Sequence, residues 1–189
     1  MFHLASARNT LSTTSLTKLY YALVHPHITY CLPVFAFTSA ANRKKIFSKQ
    51  KQCLRIINKA KYNAHSEPLF FRSNILPLED LIFQQIVLLM HSIHCNYSAV
   101  NFAHFFKNSS TNVNYTLRDA DNFFVMRTNV NLVEKMPIVD FPKIWNSLDN
   151  CYKNISTRLA FKKTIKADLL EKYRNFKCTK SICISCMNL

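Results

Sequence analysis

The sequence predicts a mainly α-helical protein, and three observations carry that prediction. Four segments repeat apolar residues at i, i+3 and i+4, the rhythm of a helix with one buried face. None of the 189 residues is glycine, the residue that takes left-handed turns without steric cost, so folds built on many tight hairpins are disfavoured. Finally, 49% of the residues are hydrophobic and 13% aromatic, enough to bury a real core in about one domain.

The first helix is expected to follow N-caps at Ser12, Thr13, Thr14 and Ser15. Its face is Leu16, Leu19, Tyr20, Leu23, Val24, His27 and Ile28, with a kink or break at Pro26, whose ring removes a backbone donor. A second helix is expected over 40–58, apolar at Ile46, Phe47, Cys53, Leu54 and Ile57, with Gln50 among them. Lys44, Lys51 and Arg55 project from its opposite side. A connector, "HSEPLFFRSNILPLED", leads to a third helix over 79–96. That helix is apolar on most of its circumference, the mark of a core element.

The character changes near Asn96. Residues 107–122 read as a loop, and short extended pieces at 115–117, 123–126 and 138–140 form a small irregular or β-containing patch around 114–140. A short helix over 142–148 carries Trp145, and a last one runs from a cap at Ser156 or Thr157 to Tyr173 through Phe161, Ile165 and Leu169. The chain thus divides into an N-terminal extension (1–12), a helical region (13–98), a region with short strands and a C-terminal helix (99–176), and a cysteine-containing tail (177–189).

Twenty-five Lys and Arg against ten Asp and Glu give a net charge of +15. Such an excess points to a polyanionic partner, nucleic acid first and an anionic membrane surface second. The apolar run near 81–90 is too short to span a bilayer. The first eighteen residues lack an apolar signal core, and the seven cysteines are most simply reduced thiols of a cytosolic or nuclear protein. Four sequons, at Asn96, Asn108, Asn114 and Asn154, are expected by chance in a chain this rich in Asn, Ser and Thr.

Catalytic motifs are scarce. Without glycine there is no phosphate-binding loop, dinucleotide fingerprint or nucleophile elbow. Asp119 and Asp121 are a close carboxylate pair and suit a polar loop better than a two-metal site. Cys31, near His27, has apolar surroundings that suggest packing rather than an activated thiolate. His91, His94 and Cys95 lie on about one helical turn, a spacing compatible with zinc, but without a nearby fourth ligand. Cys178, Cys183 and Cys186 form C-x4-C-x2-C and also need a fourth ligand from elsewhere. A small zinc-binding interaction module built on these residues is therefore the alternative reading. The strongest functional element is the window 43–61, with eight cations and no acid. Its bland reading is an ordinary solvated face. Arg43, Lys44, Lys51, Arg55 and Lys59 are the expected phosphate contacts.

Four stretches in order also carry a resemblance: "LTKLYYALVHPHITYCLPVF", "KQKQCLRIINKAKYNAHSEPLFFRSNILPLEDL", "FFVMRTNV" and "FPKIWNSLDNCYKNISTRLAFKKTIKADLL". Over roughly residues 10–173 the chain resembles the C-terminal, thumb and post-thumb region of reverse transcriptases from non-LTR (LINE-type, jockey-like) retrotransposons. The resemblance implies a helical thumb-like packet that holds the backbone of a template–primer duplex of RNA or DNA, and a palm region as a further partner. The family's metal-binding aspartates lie in an Asp-Asp turn of the palm, and this sequence has no Asp-Asp. No catalytic residue, and no cofactor of the chain's own, is therefore expected. The divalent ions belong to the palm of the parent RNA-directed DNA polymerase. The family commonly has glycine at the position of Cys31, near Phe37 and after "FFVMRTN". These departures, with the missing palm, imply a truncated or decayed copy of a longer element.

Overall fold

The computed structural model describes residues 2–97, 104–107 and 122–174. Among these are eleven helices and no strand, so the mainly α architecture is as expected. They fall into two compact units, one of 1–82 with 166–189 and the other of 83–165. The boundary expected near residue 98 rests on a change of composition, whereas the division between the compact units falls inside a helix.

In the first unit, α1 (Phe2–Ser6), α2 (Thr13–Leu23), α3 (His25–Thr29), α4 (Leu32–Phe35), α5 (Ala40–Ile57) and α6 (Glu67–Ser73) precede the start of α7 (Leu78–His94). Ser12 caps α2 by accepting the Ser15 N–H at 3.2 Å, satisfying one of the donors a helix start leaves open. Pro26 sits in the first turn of α3, where its missing N–H costs nothing, so the chain breaks after Leu23 and resumes as a new helix. The core is Leu4, Leu16, Tyr20, Cys53, Leu54, Ile57, Phe70 and Ile75, and α5 packs against α1, α2 and α6 around it. The end of α11 (Arg158–Glu171) contributes Leu169 and Leu170 to this unit. Just beyond it, the Tyr173 hydroxyl donates to Asp80 Oδ2 at 2.6 Å.

Among the described residues four occupy left-handed backbone: Cys31 (φ 49°), Lys59 (52°), Asn74 (54°) and Asn96 (55°). Asn tolerates this region best among residues with a Cβ. Cys31 and Lys59 stand where only glycine is free of steric cost.

In the second unit the remainder of α7 is followed by α8 (Asn131–Glu134), α9 (Pro137–Asn146), α10 (Asn150–Lys153) and the first part of α11. The expected extended piece at 138–140 is a correction, because these residues belong to α9. Met136 has the extended backbone of an N-cap, Pro137 opens the helix, and Val139, Phe141, Pro142 and Trp145 are buried along it. Pro142 therefore lies inside the helix rather than starting it. Around 123–126 only a single bridge forms, with the Phe124 N–H donating to the Lys107 carbonyl at 2.8 Å. The Asn146 amide brackets Phe123, accepting its N–H at 2.9 Å and donating to its carbonyl at 2.8 Å. Residues 115–117 lie outside the described residues.

Candidate nucleic-acid interface

Helix α5 begins at Ser39, whose hydroxyl accepts the Asn42 N–H at 3.4 Å. It contains no acidic residue over its eighteen positions. Its inner face is Gln50, Cys53, Leu54 and Ile57. Gln50 is wholly buried. Its Nε2 donates to the Tyr20 hydroxyl at 3.2 Å and to the Leu76 carbonyl at 2.8 Å, while its Oε1 is buried without a partner. One neutral side chain thus ties α5 to α2 and to the segment before α7. Burial pushes the Tyr20 phenol up to about 12 and also raises the Cys53 thiol, which makes that cysteine a poor nucleophile.

The outer face carries the charge, but unevenly. Lys44 and Lys59 are exposed, as the sequence leads one to expect. Lys51 is half-buried, with its ammonium 4.2 Å from the centroid of the Phe47 ring, which itself stacks on Phe70 at 6.0 Å. Arg55 is tied by its Nε to the Ala64 carbonyl at 3.0 Å. Arg43 is the most engaged of the five. It donates to the Ala36 carbonyl at 3.4 Å and lies 3.7 Å from Glu79 Oε2, so part of its charge is answered within the unit. Lys45 and Lys49 lie in the same basic window outside the five expected contacts, and both are exposed. Their i, i+4 spacing, one helical turn beside Lys44, is the signal that selects them.

Two clefts border α5. The larger, about 500 Å³, is floored by Val24, Ile28, Ile46 and Cys53, with Lys45 and Lys49 among its lining residues. His27 also lines it. The smaller, about 340 Å³, lies at the C-terminal end of α5, between Arg8, Arg55 and Tyr62.

The metal candidates occupy other surroundings. In the second unit His91 is fully buried and stacks on Phe161 at a centroid distance of 4.3 Å. Its Nε2 donates to the Ile155 carbonyl at 2.6 Å and lies 3.6 Å from the Cys95 sulfur, which leaves a buried, unpartnered Nδ1. That pattern is a histidine packed in an aromatic core. His94 lies against Trp145 at 5.3 Å. Among the described residues no three His, Cys, Asp or Glu side chains converge as a metal site would require. Cys178, Cys183 and Cys186, like Asp119 and Asp121, lie outside the described residues. No single helix among the described residues is long and apolar enough to cross a membrane.

No protein-family model, curated protein or solved structure matches the chain.

Proposed function

We propose that the first unit binds nucleic acid through its phosphate backbone, without sequence preference, as expected of the region that follows the palm in a non-LTR retrotransposon reverse transcriptase. The observation that carries this reading is the solvent-facing set Lys44, Lys45 and Lys49 on a helix with no acid to offset it. Flexible ammonium groups facing solvent can meet phosphates without giving up an internal partner, and contacts of this kind position a duplex rather than read its bases. Lys51, Arg55 and Lys59 extend the same charged surface.

A second observation supports the family part of the proposal. Cys31 adopts φ 49°, at the position where the resemblance leads one to expect glycine, and left-handed backbone is what glycine accommodates most easily. We assign no catalytic residue to the chain, and the polymerase chemistry of the parent family stays with its palm.

Filter binding of a duplex across a salt series tests the proposal. Each phosphate neutralised contributes about −0.9 to the slope of log K against log salt. Engagement of the three lysines predicts a slope of about −3 or steeper. Binding that is absent, or indifferent to salt, contradicts the reading.

A further inference from the structure

The smaller cleft has a character that duplex binding does not use. Tyr62 is 83% exposed, the most exposed of the large hydrophobic side chains among the described residues. It stands in a turn just after Lys59 and Lys61, both exposed, and shares the cleft with Arg8, Gln52, Arg55, Ile56 and Ala60. No acidic residue lines it. The cleft's volume of about 340 Å³ falls in the usual range of small-ligand sites, about 300–1,000 Å³.

The two arginines are held in place. Arg8 donates from Nη2 to the Ala60 carbonyl at 3.1 Å, and Arg55 donates from Nε to the Ala64 carbonyl at 3.0 Å. Both clamp the same turn, which is further closed by the Ala60 N–H on the Arg55 carbonyl at 2.9 Å and by the left-handed Lys59. A guanidinium has five N–H donors, so each arginine keeps others for a ligand. Neither arginine forms an ion pair among the described residues. Fixed guanidiniums lose little freedom on meeting phosphate.

We propose that this cleft takes an unpaired nucleotide of a single-stranded nucleic acid, with its base stacked on Tyr62 and its phosphates met by Arg8 and Arg55. The inference rests on the nucleic-acid reading above and adds the strand state. A flat aromatic set among cations is the combination by which single strands are held, since every base offers a π face. In a duplex that face is covered by the neighbouring pair. The exposed Lys59 and Lys61 precede the stacking ring in the chain and would track the adjoining backbone.

The test uses the full chain, a fluorescein-labelled twenty-nucleotide oligothymidylate and a duplex of equal length, with wild type, Tyr62→Ala and Tyr62→Phe. Tyr62→Ala should weaken the single strand about 5- to 150-fold, the span of one stacked base. Its duplex affinity should stay within about twofold, and Tyr62→Phe should bind the single strand like wild type. Unchanged single-strand binding by Tyr62→Ala overturns the inference, as does an equal loss on duplex. Displacement of the oligothymidylate by polyglutamate at equal charge also overturns it, since the cleft would then be a general anion surface. If neither nucleic acid binds wild type, the function proposed above fails and takes this inference with it. Duplex binding without a Tyr62 effect removes this inference alone.

Discussion

In the first unit a side chain that carries polarity into the core is Gln50, a neutral amide spending its donors on Tyr20 and Leu76. In the second such a side chain is His91, a ring packed among Phe161, Trp145 and the Ile155 carbonyl. The surfaces differ in the opposite sense. The first unit has 16 Lys and Arg against 5 Asp and Glu, whereas the second has 9 against 5. Some of the second unit's cations also serve internal ends. The Lys153 ammonium is buried on Asn122 Oδ1 at 2.8 Å, and Lys143 pairs with Glu134 at 2.9 Å. His91 and His94 thus pack among the aromatic rings of one unit, while the basic character that suggests a partner belongs mainly to the other. A single composition averages the two.

The comparison breaks most sharply at Trp145. It is fully buried, 6.2 Å from the Phe161 ring and 6.1 Å from Phe123. Trp145→Ala should cost about 3–5 kcal/mol, a Tm drop of about 10 °C, read by thermal melting. Below the lowered transition, nucleic-acid affinity should be unchanged. A matching loss of affinity would show that the second unit carries part of the binding surface.

The next effect tests the first unit's core through pH. The unfolded Tyr20 phenol ionises near 10, whereas burial holds the folded one to about 12. Between those values the folded state binds more protons, so stability falls as pH rises. The loss should be on the order of 2 kcal/mol by pH ~12. Urea melts of wild type and Tyr20→Phe read it, and the variant should show a shallower decline over that window.

Gln50→Leu sharpens the contrast between the amide and the histidine. It leaves the Leu76 carbonyl buried without its donor and should cost about 1–3 kcal/mol, measured by the denaturation midpoint. A neutral result would mean that the amide adds nothing beyond its volume. The smallest effect is at Cys31, which is exposed and left-handed. Cys31→Gly relieves about 1–2 kcal/mol of backbone strain and loses about 0.5–1 kcal/mol to chain entropy. The variant should therefore be about 0.5–1 kcal/mol more stable. Destabilisation would remove the argument from glycine at this position.

Much of this was legible in residue order because period is a strong local signal. The helices at 13–28, 40–58 and 79–96 announce themselves by long apolar repeats, and the break at Pro26 by a missing donor. Helix α9 did not, since Ile138, Val139 and Asp140 form too short a window to separate strand from helix and Pro142 looks like a start. The N-terminal extension likewise hides Leu4, which reaches the core. The basic window on α5 was plain. The engagement of Arg43 was not, because Glu79 lies 36 residues away in the chain. The cleft at Tyr62 depends on Arg8, 54 residues upstream, and no local pattern announces such a meeting.

If the proposed phosphate-binding surface belongs to the first unit, removing charge from each unit in turn should separate the two. The salt slope for duplex binding should become shallower by about 2.7 in Lys44→Ala/Lys45→Ala/Lys49→Ala, about 0.9 for each cation lost. It should hardly change in Lys162→Ala/Lys163→Ala, which removes exposed cations from the second unit. A slope that responds to the second pair and ignores the first three contradicts the account.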